Sequence, residues 1–91
     1  MRICKVYQTS DEVRTAMLAD FDVYAELVSS EDDILVDFRN NTIKTPDDLV
    51  QYITPHEAET LKKRRYDTVV YNEWVSVPES MEHKLMEMLN A

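Results

Sequence analysis

The sequence predicts an α+β domain: a small sheet of three to four strands with helices packed mainly on one face. Three observations carry that prediction. Strand-like and helix-like patterns alternate along the chain. Ninety-one residues suit one core and no more. Hydrophobic residues at 44% against charged residues at 31% give a globular composition. Residues 1–91 are therefore read as a single compact domain, without repeat, linker or low-complexity tract.

Arg2 to Gln8 has a strand composition, with Ile3, Val6 and Tyr7 among polar residues. Thr9 or Ser10 caps a helix that runs to about Val28, and Glu12 stands where a capping box needs it. Val13, Met17, Tyr24 and Val28 form its apolar line, broadened by Ala16, Phe21 and Leu27. Asp20 offers a second start within it. Ser29 to Asp33 is a polar turn, after which Ile34, Val36 and Phe38 alternate with Leu35, Asp37 and Arg39 as a strand with one buried face. Asn40-Asn41 suits a hairpin turn into a short return strand, Thr42 to Lys44.

Thr45-Pro46-Asp47-Asp48 has the form of a helix start: a cap, a proline, then acids facing the dipole. Thr54-Pro55-His56-Glu57 repeats the device, so two short helices are predicted, ending near Ile53 and near Tyr66. Asp67 to Val77 is the most strand-like run, rich in valine and carrying Tyr71 and Trp74. Ser76, Pro78 and Glu79 open a last helix to about Asn90, with Met81, Leu85, Met88 and Leu89 on one side.

The chain contains no glycine. A P-loop, a dinucleotide-binding turn and an EF-hand each need one where a side chain would block ligand or backbone. Positive backbone φ then falls to asparagine or aspartate, with Asn40, Asn41 and Asn72 as the candidates. The lone cysteine, Cys4, excludes an internal disulfide and a four-cysteine zinc site. No apolar run reaches the length of a membrane span and no secretory stretch opens the chain, so a cytoplasmic setting is expected.

Residues that carry chemistry elsewhere find no partners here. His56-Glu57 resembles the start of a zinc-protease helix, but Thr60 stands where the second histidine is required. His56 at a helix start is read as solvent-facing, and His83, beside Glu79, Glu82 and Glu87, as a surface ion-pair residue. Cys4 in a first strand is read as a small packed side chain. Asp11-Glu12, Glu31-Asp32-Asp33 and Asp47-Asp48 lack the alternating oxygen spacing of a calcium loop. The sequence is accordingly read as a binding protein rather than an enzyme, with no catalytic, cofactor or metal site.

Charge carries the functional reading. The net charge is −8, and between Val6 and Glu59 thirteen acids face only Arg14, Arg39 and Lys44. From Lys62 onward acids and bases balance, with Lys62-Lys63-Arg64-Arg65 as the one basic run. That run is read as a helix end complementing its own dipole. A surface of this sign repels nucleic acid and anionic lipid and attracts basic partners.

In size and charge the chain resembles the nucleic-acid-mimicking and other inhibitory proteins that phages and mobile elements encode. The resemblance implies an inhibitor or regulator of a basic-surfaced, nucleic-acid-handling protein. Asp20, Asp22, Glu26, Glu31, Asp32 and Asp33 are its expected contact set. A structural or adaptor subunit is the alternative, using the methionine-rich last helix (Met81, Met86, Met88) as an adaptable apolar surface; an enzyme with a carboxylate site of no known pattern ranks third. The stripe Met81, Leu85, Met88 and Leu89 is also the candidate surface for a homodimer.

Overall fold

Five strands form one mixed sheet among residues 1–28, 33–59 and 66–72, the parts of the chain that the computed structural model describes. β1 (Arg2–Val6) is followed by helix α1 (Ser10–Leu27), then β2 (Leu35–Asp37), β3 (Thr42–Lys44) and β4 (Leu49–Ile53). A 3₁₀ turn, Pro55–Glu59, leads on, and β5 (Thr68–Tyr71) completes the sheet. The order across the sheet is β2-β3-β4-β1-β5. β1 pairs in parallel with β4 and β5, whereas β2–β3 and β3–β4 are antiparallel. The class is α+β, but the sheet has five strands where three to four were expected.

The additional strand is β4, in the stretch that the Thr-Pro-Asp-Asp pattern marks as helical. Thr45 does cap locally: its Oγ1 accepts from the Asp48 amide at 3.0 Å. Its own amide, however, donates to the Asp48 carbonyl at 2.8 Å, which closes a turn and sends the chain back beside β3. Only Leu49 to Ile53 then remain before Thr54-Pro55, too few residues to repay helix nucleation. Valine, tyrosine and isoleucine favour a pleated, enclosed site instead. Val50, Gln51, Tyr52 and Ile53 are all buried there.

The other elements follow their local chemistry closely. Thr9 Oγ1 accepts from the Glu12 amide at 3.2 Å, while the Glu12 carboxylate reaches back to the Gln8 amide at 3.0 Å, one residue beyond the cap that a reciprocal box would engage. The helix continues unbroken past Asp20 to Leu27. Asn41 adopts φ of 54°, the one positive φ among the described residues, in the loop joining β2 to β3. The second Thr-Pro device works as a cap, with Glu57 Oε1 accepting from the Thr54 amide at 3.1 Å and from its hydroxyl at 3.0 Å.

Register explains the core. Val36 faces Ile43, Ile43 faces Val50, and Val50 faces Ile3, so four apolar residues run in a row across four strands. α1 lays Val13 and Met17 over this row, with Tyr52 beside it. Two residues depart from the expected apolar set. Leu27 is 74% exposed, and Phe38 lies in the turn at the end of β2 at 41%.

The centre of the opposite face is buried as well, while the described α-helix lies on the first face. Cys4, Val6 and Ile53 alternate with the α1-facing residues and are fully buried. The described part of the β4-to-β5 connection lies near this face: Pro55 is fully buried, and Glu57 acts electrostatically on Cys4.

Candidate functional site

The outward face of α1 and the start of β2 hold the described part of the acidic region. Asp22 and Glu26 sit one helical turn apart, about 6 Å along the axis, with Asp11 on the same side nearer the N-terminus. All three are exposed, as is Asp33 ahead of β2. Their carboxylates take no ion-pair or hydrogen-bond partner among the described residues. Nearby bases are engaged or distant: Arg14 lies over the Phe38 ring at 5.2 Å, and Lys5 is paired inside.

Asp20 belongs to a different environment. Its Oδ2 accepts from Lys5 Nζ at 2.9 Å and from the Tyr52 hydroxyl at 2.6 Å, beneath the helix. Burial opposes the charge on Lys5, but the hydrogen bond and charge of Asp20 outweigh it and hold the ammonium pKa above its ordinary value. Burial and then the Asp20 hydrogen bond push the Tyr52 phenol far up. Tyr7 stacks on Tyr52 at 6.3 Å between centroids, and burial raises its phenol as well. This cluster ties helix to sheet. Of the six expected contact residues, Asp22, Glu26 and Asp33 are exposed, Asp20 is committed internally, and Glu31 and Asp32 lie outside the described residues.

An apolar surface adjoins the acidic face. Leu18, Phe21, Val36 and Phe38 line a groove of about 250 Å³ between α1 and the β2 edge. Leu18 is 55% exposed, and Leu35, on the edge strand itself, 63%. The sequence contains a signal for this surface, since both leucines stand out of phase with the apolar lines of their elements. A second groove, about 390 Å³, opens at the carboxyl ends of β1 and β5 among Tyr7, Asp11, Thr15 and Asn72.

Cys4 is fully buried, and burial followed by the charge of Glu57 pushes its thiol up to about 12, so it packs as the small apolar side chain expected. His56 is exposed, as expected. Among the described residues no three or more histidine, cysteine, aspartate or glutamate side chains are grouped to hold a metal ion. No described helix is long and apolar enough to cross a membrane. His83, the Lys62–Arg65 run, Trp74 and the stripe Met81, Leu85, Met88 and Leu89 lie outside the described residues. These features define a small acidic α+β protein whose sheet ends, among the described residues, on β2 at one side. Comparison of the chain with family models, curated proteins and solved structures gives no match.

Proposed function

We propose that this protein binds, and thereby inhibits or regulates, a basic-surfaced partner of the nucleic-acid-handling kind. The observation that carries the reading is the row of exposed carboxylates Asp11, Asp22, Glu26 and Asp33, without partners among the described residues, in a region of net charge −10 between Val6 and Glu59. Rigid elements hold these groups at fixed spacing, so the ordering cost of docking an arginine or lysine is reduced. Charge-assisted bonds to those side chains exceed neutral ones in strength. Opposite fields also speed encounter.

The test is retention of proteins from the source cell on immobilised full-length chain. A specific partner should elute as salt rises, be displaced by competing DNA, and fail to bind after Asp22→Lys and Glu26→Lys together. Retention indifferent to salt and to both reversals would end this reading. A contact made partly by apolar groups, the adaptor reading, draws support from the exposure of Leu18, Val23, Leu27 and Leu35. The Leu18 and Leu35 groups adjoin the carboxylates, and one surface combining both features fits a partner that is both basic and apolar.

A further inference from the structure

We infer that the free edge of β2 takes up an extended segment of the basic partner, apolar at its centre and basic at both ends, as a sixth strand of the sheet. The inference rests on the proposed basic partner and specifies how it docks. β2 ends the strand order, so one side of Leu35–Asp37 carries no neighbouring strand among the described residues. Edges in soluble proteins are commonly guarded by short length, charged side chains, proline or a bulge; β2 is three residues long, and its one charge is Asp37, an acid that attracts rather than repels a basic strand. Leu35 is instead 63% exposed on one face, and on the other Val36 opens into the groove with Leu18, Phe21 and Phe38. An added strand would place one side chain against Leu35 and the next into that groove, the alternation that gives strand addition its specificity.

Charge decides the occupant. The strand is bracketed by carboxylates: Asp33, the last of the sequence run Glu31-Asp32-Asp33, before it, and Asp37 at its end. Asp37 Oδ1 accepts from the Arg39 and Asn40 amides at 2.9 and 3.2 Å and its Oδ2 from Asn40 Nδ2 at 2.8 Å, which fixes a negative charge at the end of the edge strand. Asp22 and Glu26 are exposed on α1, the helix whose Leu18 and Phe21 line the groove. An acidic or neutral strand gains nothing from these four groups, and a second copy of this chain, at −8, would be repelled by them. A segment with lysine or arginine on either side of two or three apolar residues satisfies both the groove and the charges.

The test uses the full chain and a synthetic peptide, Lys-Arg-Val-Leu-Val-Arg-Lys, followed by backbone amide NMR. Binding should perturb Leu35, Val36 and Phe38 most, and the Leu35→Lys, Leu18→Lys double variant should weaken it by about tenfold or more. Both leucines are exposed, and an unchanged amide spectrum elsewhere confirms that the variant folds. N-methylation of alternate peptide amides should weaken binding similarly, because strand addition needs those donors. Equal affinity for Lys-Arg-Ser-Gly-Ser-Arg-Lys would overturn the edge proposal while leaving the basic-partner reading intact. Affinity for the first peptide that is indifferent to salt would overturn the basic-partner reading and, with it, the basic ends of the proposed segment. Absence of binding by either peptide, or a dimer that Leu35→Lys dissolves, also overturns the proposal.

Discussion

The hydroxyl of Tyr52 donates to Asp20 Oδ2 at 2.6 Å, joining the central strand β4 to the middle of α1 across 32 residues of sequence. The same oxygen receives Lys5 Nζ, so one carboxylate satisfies a phenol and an ammonium from neighbouring strands. Lys5 and Tyr52 face each other in the β1–β4 register, which holds both donors toward the one carboxylate.

Removing only the phenol leaves an intact ion pair, so Tyr52→Phe should cost about 1 kcal/mol of unfolding free energy. Asp20→Ala strands both donors. The Lys5 and Asp20 side chains keep 23% and 24% of their exposure. Solvent screening therefore limits that loss to about 2 kcal/mol. In the Asp20→Ala background, Tyr52→Phe should cost close to nothing. Urea unfolding of the four proteins gives the cycle, and strict additivity would show that the carboxylate does not couple the two.

Alkaline pH should unfold the protein earlier than its acidic composition suggests. Cys4 is raised from 9.0 to about 12 in the folded chain, so above pH 9 the unfolded state loses a proton that the folded state keeps. Stability falls as pH rises through that window, by on the order of 4 kcal/mol at its upper end. Tyr52 acts in the same direction, and the Lys5 contribution, present below its unfolded pKa, is lost as pH passes its raised folded value. Cys4→Ala should be about 1 kcal/mol less stable at neutral pH, through lost packing. Its decline above pH 9 should be shallower than that of the parent. Parallel declines would exclude Cys4 as the titrating group.

Asn41 holds φ of 54° where the β2–β3 loop returns. Asn41→Gly should be neutral or slightly stabilising, and Asn41→Val should lower stability by about 1–2 kcal/mol, because a β-branched side chain clashes in the left-handed region. Thermal midpoints of the two variants settle the point, and a tolerated valine would mean that the loop relaxes to another turn.

Local chemistry made much of this fold legible from the sequence. The Thr9 cap, the asparagine turn and the strands β1, β2, β3 and β5 are each set by residues within a few positions of one another. What the sequence concealed depends on long-range placement. Thr45-Pro46-Asp47-Asp48 and Thr54-Pro55-His56-Glu57 look alike, yet only the second opens a helical turn, because burial of Leu49 to Ile53 between β3 and β1 overrides the first. Position in the chain groups Asp20 with the outer carboxylates, since its partners Lys5 and Tyr52 meet it only in the folded sheet. The apolar edge shows in the sequence only as two leucines out of phase, and that β2 is one of the two end strands among the described residues follows from the strand order.

Gln51 provides the most specific check on that strand order. It is 4% exposed, and its Nε2 donates to the Asn40 carbonyl at 2.7 Å and, more weakly, to Asn41 at 3.3 Å. A buried amide on β4 thus ties down the loop that begins the β3 return. Gln51→Ala removes the donor and should cost about 1–2 kcal/mol. Gln51→Glu should be worse at neutral pH, since it aims a charged acceptor at two carbonyls in a buried site. Protonation restores a donor, so the folded pKa of the introduced carboxyl must lie above its unfolded value. The defect of that variant should therefore be smallest below about pH 4, the unfolded range for glutamate, and grow as pH rises through the folded value. Urea midpoints of Gln51→Glu relative to Gln51→Ala, measured from pH 4 to pH 8, give the curve. A constant difference across that range would place residue 51 in solvent, and with it the helix that the local pattern suggests in place of β4.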